Sequence, residues 1–137
     1  MQKPENWLLK AKSDLNLAKK GVVGEPNTLD SAIYHTQQCA EKALKGYILI
    51  KTIEMPRKVH DLTLLLAICT KQDESFKKLN VDVAVLNPYA TMFRYPDDQI
   101  EYPEEYVVKD AIVRAEKILK FVEEKIIDLK TGQKNIF

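Results

Sequence analysis

Apolar residues recur at three- and four-residue steps along nearly the whole chain, the spacing that places them on one side of an α-helix. The breaks between these segments contain glycine, proline, asparagine or aspartate, which are typical of turns. The pattern predicts helices over residues 4–22, 28–51, a short segment from His60 or Asp61, 74–93 and 104–130. Residues 81–85 have some strand character, but the chain has no second such stretch for them to pair with. We therefore predict an all-α fold, an up-and-down helical bundle of about five helices with a four-helix-bundle-like core.

Individual residues refine the predicted boundaries. Pro4 and Pro103 suit the first turn of a helix, where the missing N–H costs nothing. Asp73 is a candidate N-cap, and Pro88 is expected to kink its helix or to begin a fresh turn. We predict one domain over residues 1–130 and a frayed C-terminal tail over residues 131–137.

The length and the net charge of the chain limit the classes of protein to which it could belong. The 137 residues, 45% of them hydrophobic, match one domain with one core. The net charge of +1 gives no long-range attraction to nucleic acid or to an anionic membrane. The sequence has neither a run of apolar residues long enough to span a bilayer nor a signal-peptide core, so we expect a cytoplasmic protein without a membrane partner. Its four dispersed glycines exclude a phosphate-binding loop of the P-loop or Rossmann type.

Cysteine and histidine give no metal-binding pattern. Cys39 and Cys69 stand alone and are expected to be buried thiols. His35 and His60 have no partner at metal-ligand spacing, and His60-Asp61 is predicted to cap a helix. We assign no catalytic residue, no metal ligand and no cofactor from the sequence, although a nucleotide ligand is compatible with it.

A polar stripe interrupts the second predicted helix. Gln37, Glu41 and Lys45 recur every fourth residue and begin on the apolar arc of that helix, with Gln38 and Lys42 beside them. Glu41 and Lys45 could form an ion pair on a solvated helix. Gln37 needs a hydrogen-bond partner, because an unsatisfied buried amide is costly. The expected partner is the corner after Phe93 or a second subunit.

The corner FRYPDDQIEYPEEY begins at Phe93 and joins the last two predicted helices. Arg94 offers a planar fork of donors suited to phosphate or carboxylate. Tyr95 could stack on a base or seal the core, and Asp97 could cap a helix, bind a hard metal or pair with Arg94. A structural pair between Arg94 and a carboxylate is the simpler alternative.

Three stretches in this order resemble the HEPN domain family, helical domains found alone or beside minimal nucleotidyltransferases. They are HTQQCAEKALKGYIL, VHDLTLLL and the corner Arg94-Tyr95-Pro96-Asp97. The resemblance spans nearly the whole chain. It implies a helical bundle, usually a homodimer, with the polar stripe and Arg94 near a shared cleft.

The resemblance implies two functions, and a third alternative stays open. In the first, the domain binds a nucleotide or serves as accessory partner of a separate nucleotidyltransferase chain in a toxin–antitoxin-like pair. The nucleotide would then contact Gln37, Gln38, Glu41, Lys42, Lys45, Arg94, Tyr95 and Asp97. In the second, less favoured, it is a metal-independent ribonuclease acting on RNA. Such family members carry a histidine four to six residues after the arginine, and this chain has Gln99, Ile100 and Glu101 there.

The third alternative is a non-catalytic, dimeric interaction module. The polar stripe would then specify how two subunits pair. Val113 and Phe121, apolar residues off the main stripe of the last helix, are the positions that favour an interface there.

Overall fold

The computed structural model describes residues 3–24, 28–52, 58–94 and 102–135, and the side chains up to residue 132. It contains the helices α1 (Pro4–Val22), α2 (Leu29–Lys51), α3 (Leu62–Gln72), α4 (Asn80–Leu86) and α5 (Glu105–Asn135). Short 3₁₀ turns, Glu74–Leu79 and Asn87–Ala90, flank α4. Within these described ranges there is no strand, so the predicted all-α fold is confirmed.

Most predicted boundaries agree with the structure to within a residue. The segment predicted over 74–93 is divided, because Asp73 caps a 3₁₀ turn and Pro88 lies in the first turn of another. The strand character of residues 81–85 is overridden, since these residues lie in α4. The last helix continues five residues past the predicted end at Lys130, to Asn135, so that boundary was placed too early.

Helix α2 lies at the centre and packs against both α1 and α5. One of its contacts with α1 depends on the absence of a side chain. A Cβ added at Gly21 would lie 2.8 Å from the Cβ of Ala32, whereas a Cβ added at Gly46 would make an ordinary contact with that of Trp7 at 3.4 Å. Glycine therefore allows the two helices to approach closely at Gly21.

Apolar side chains from all five α-helices form one buried core. Phe121 belongs to this core rather than to an outer surface, because its ring packs edge-on against Phe76 at 4.9 Å. Phe121 is thus partly buried against the core and offers less surface to a partner than Val113, which is 66% exposed. Cys39 and Cys69 are buried as predicted, and burial raises the pKa of both thiols to about 12.

Candidate functional site

The predicted polar stripe of α2 lies inside the protein. The residues Gln37, Glu41 and Lys45 are only 0%, 4% and 2% exposed. Lys45 Nζ donates to Glu41 Oε2 at 3.1 Å, and Gln37 Nε2 donates to Glu41 Oε1 at 3.4 Å. Glu41 and Lys45 are therefore a buried ion pair, not the solvated surface pair that the sequence allowed.

Gln37 finds its partners within the same subunit. Its amide nitrogen also donates to the backbone carbonyl of His60 at 3.2 Å, and its amide oxygen accepts from Gln38 Nε2 at 2.8 Å. The expectation that the corner after Phe93 or a second subunit would satisfy Gln37 was wrong. The loop before α3 satisfies it instead.

His60 is the residue of this site that the sequence analysis missed. Asp61 alone caps α3, accepting from the Thr63 N–H at 2.9 Å, while His60 Nδ1 lies 3.1 Å from Glu41 Oε2. In the tautomer with the proton on Nδ1, His60 donates to the Glu41 carboxylate and Nε2 carries a lone pair. The His60 side chain is 66% exposed, which leaves that nitrogen available to solvent or to a ligand.

Lys42 belongs to a different cluster, between α1 and α2. Asp14 is 5% exposed and accepts from Lys42 Nζ at 2.6 Å, while its second oxygen lies 2.8 Å from His35 Nδ1. Burial raises the pKa of the Asp14 carboxyl, but the hydrogen bonds from His35 and Lys42 outweigh burial and hold that pKa below its ordinary value. This cluster fastens the two helices together.

Arg94 lies at the start of the corner, against the N-terminal half of α2. Phe93 adopts a φ of 69°, which turns the chain, and the Arg94 guanidinium carbon lies 3.9 Å from the centroid of the Tyr34 ring. Arg94 is exposed and makes no ion pair among the described residues. Asp97, the carboxylate named for a structural pair with it, lies outside those residues. A cavity of about 250 Å³ lies there, lined by Asp30, Ser31, Tyr34, Phe93 and Arg94.

The structure thus divides the predicted site residues instead of bringing them into one hollow. Tyr34, which holds Arg94, and Glu41, which holds His60, lie on the same side of α2, seven residues or roughly 10 Å apart. Lys42 faces α1 instead. Tyr95 and Asp97 lie outside the described residues. No group of three or more metal-ligating residues occurs within those ranges.

Comparison with known proteins agrees with this architecture. The model of the HEPN domain family matches residues 4–125. The chain belongs to the HEPN domain family. The match runs from the start of α1 well into α5, so it includes every contact described above.

Individual relatives of this HEPN domain support the assignment. It is 28% identical over 142 residues to "Putative toxin MJ1304" of Methanocaldococcus jannaschii, covering 95% of this chain and 91% of the relative. It is 29% identical to ST0689, described as an archaeal HEPN homologue, with a TM-score of 0.73 over 92% of this chain and 99% of the other. TT1696 from Thermus thermophilus gives the same identity and TM-score over 91% and 99%. No helix in the described part of this HEPN domain is both long and apolar enough to cross a membrane.

Proposed function

We propose that this HEPN domain binds a nucleotide at the Arg94 corner and works beside a separate nucleotidyltransferase chain in a toxin–antitoxin-like pair. One observation carries the proposal: Arg94 is exposed, stacked on Tyr34, and has no carboxylate partner among the described residues. The contact with Tyr34 holds the Arg94 guanidinium beside a cavity, where its N–H donors could meet an external anion. The toxin named among the relatives supports the two-component setting.

The chemistry of the corner suits a phosphate that carries a ribose. Stacking on Tyr34 fixes the plane of the guanidinium, so its N–H donors can bind two phosphate oxygens with little further loss of freedom. Ser31 adds a hydroxyl to the lining, and the Asp30 carboxylate, which accepts from the Ser31 N–H at 2.8 Å, could accept from ribose hydroxyls. A free phosphate lacks ribose hydroxyls, so a nucleotide could make more contacts with this lining.

Titration calorimetry with ATP tests this proposal. We expect Arg94→Ala to weaken binding by about 10- to 100-fold, because a charge-assisted contact contributes about 1.5 to 3 kcal/mol. Arg94→Lys should recover only part of the affinity, since an ammonium lacks the planar fork. Lys78→Ala removes one exposed positive charge outside the cavity and serves as the control. The proposal would be contradicted if the Arg94→Ala variant bound ATP with the same affinity as the unmodified protein.

RNA cleavage is a second candidate function, and His60 is the observation that favours it. The sequence lacks a histidine after Arg94, but the loop before α3 brings a carboxylate-held imidazole to the same side of α2 as Arg94. Nε2 of His60 would take the proton of an RNA 2′-hydroxyl as its oxygen bonds to phosphorus and the bond to the 5′-oxygen breaks. The proton ends on that 5′-oxygen, giving a 2′,3′-cyclic phosphate and a 5′-hydroxyl.

Labelled RNA incubated in EDTA distinguishes the second candidate from the first. If the domain cleaves RNA through this site, His60→Asn and Arg94→Ala both abolish cleavage. His35→Asn is the matched control, since His35 lies in the Asp14 cluster. Intact RNA after incubation with the unmodified protein would remove this candidate and leave nucleotide binding untouched.

The homodimer implied by the family resemblance is part of the proposal. Large apolar side chains of α1 and α5 are substantially exposed, among them Leu17, Val113 and Ile127. Pairing of two copies would cover such surface. Sedimentation equilibrium measures the molecular mass of the protein in solution. A monomer at tens of micromolar protein would overturn the proposed homodimer. That result would not distinguish nucleotide binding from RNA cleavage.

A further inference from the structure

A second cavity lies where the first turns of α1 cross α2, away from the N-terminal residues of α2 that contact Arg94. It has a volume of about 460 Å³ and is lined by Asn6, Trp7, Lys10 and Lys42. Trp7 is the single tryptophan of the chain, and it is partly exposed in this wall instead of being buried in the core. The Arg94 corner and the proposed function do not use this cavity.

The wall formed by Trp7 is fixed in place. The Trp7 Cβ packs beside Gly46 of α2, at a distance where an added Cβ would make an ordinary contact of 3.4 Å. The ammonium of Lys45 lies over the indole ring, 5.9 Å from its centroid, and Lys45 is itself held by Glu41. The ring therefore covers the buried ion pair and is oriented by it, which gives a preorganised aromatic surface.

The cations at the cavity favour an anion. Lys10 is exposed and makes no ion pair among the described residues. The ammonium of Lys42 has three N–H donors, and one of them donates to Asp14 at 2.6 Å. Asp14 balances the charge of Lys42, so among the described residues that line the cavity Lys10 contributes one positive charge without an ion-pair partner.

We propose that this cavity is a separate binding site for a flat aromatic ring that carries an anionic group, with a nucleoside monophosphate as the representative ligand. The ring would stack on Trp7, and the phosphate would contact Lys10 and Lys42. Gly46, beside Trp7, and Tyr34, beside Arg94, are twelve residues apart on α2, or roughly 18 Å. One mononucleotide therefore does not fill both sites.

Intrinsic fluorescence tests this site alone, because Trp7 is the sole tryptophan. The probes are AMP, adenosine and inorganic phosphate, with excitation at the red edge of tryptophan absorption. We expect saturable quenching by AMP, and affinity for adenosine about tenfold lower because the charged contact is absent. Inorganic phosphate alone should compete with AMP without quenching.

Three variants complete the test. Lys10→Gln should weaken AMP binding several-fold, whereas Lys20→Gln, an equally exposed lysine of α1, should not. Arg94→Ala should leave the quenching curve unchanged, which separates this site from the proposed function. Quenching that rises linearly without saturation, equal affinity for AMP and adenosine, or loss of the signal in Arg94→Ala would each overturn the inference.

Discussion

The buried pair of Glu41 and Lys45 makes the sharpest prediction about stability. Replacing Lys45 by Met keeps an unbranched apolar stem of similar length but removes the ammonium 3.1 Å from Glu41 Oε2. Among the described residues, the carboxylate, 5% exposed, then keeps an amide donor from Gln37 and the imidazole of His60. Removing one partner of a buried pair typically costs about 3 to 5 kcal/mol. We expect Lys45→Met to lower the free energy of unfolding by an amount in this range.

Urea unfolding followed by far-UV circular dichroism, at one fixed protein concentration, measures this cost. Lys19→Met is the matched control, because Lys19 and Glu116 form an ion pair at 2.8 Å with 47% and 35% of their side chains exposed. That change should cost less than about 1 kcal/mol. Adding Glu41→Gln to Lys45→Met should recover much of the loss, since the charge disappears and the amide still hydrogen-bonds. A Lys45→Met cost as small as that of Lys19→Met would refute the description of this pair as buried.

Three further predictions follow from other contacts. The carboxyl of Asp14 has a lowered pKa in the folded state, so its contribution to stability is present above the ordinary aspartate pKa and is lost as pH falls through the lowered value. Asp14→Asn should therefore cost stability near neutral pH and progressively less below about pH 4, as measured by urea unfolding at several pH values; a cost independent of pH would contradict this. Gly21→Ala should destabilise by about 1 to 3 kcal/mol, because its Cβ would lie 2.8 Å from that of Ala32. Gly132→Ala should instead stabilise α5 by up to about 1 kcal/mol, because an added Cβ there would have nothing within 4 Å. Thermal unfolding measures both changes, and a shift of the melting temperature in the same direction for the two variants would refute the packing argument.

The helical pattern predicted the fold because helix packing depends on periodic apolar positions. It predicted the boundaries well where a proline or a capping aspartate marks them, as at Pro4 and Asp73. It placed the end of α5 too early at Lys130, because neither proline nor a crowded position stops the helix there. Gly132 has the conformational freedom to end a helix but also tolerates continuing one, and α5 continues to Asn135.

The candidate site was predicted less well, for a physical reason. The four-residue spacing of Gln37, Glu41 and Lys45 predicts that they share a side of α2, and they do. Spacing does not say which loop covers that side, and here the loop carrying His60 does. A buried glutamate that pairs with one lysine still has acceptor capacity for a further donor, which is the one signal that could have pointed to a histidine. Arg94 was identified from its residue type, its place in the corner and the family resemblance, whereas its partner Tyr34 is set by tertiary packing.

Amide chemical-shift mapping during an ATP titration tests the central claim most directly, namely that the Arg94 corner is a ligand site of this HEPN domain. We expect saturable shifts at Ser31, Tyr34, Phe93 and Arg94, which line one cavity, and we expect these shifts to be lost in Arg94→Ala. Shifts near Trp7 would report the second cavity and do not decide the claim. Unchanged amides around Arg94 at saturating ATP would contradict it.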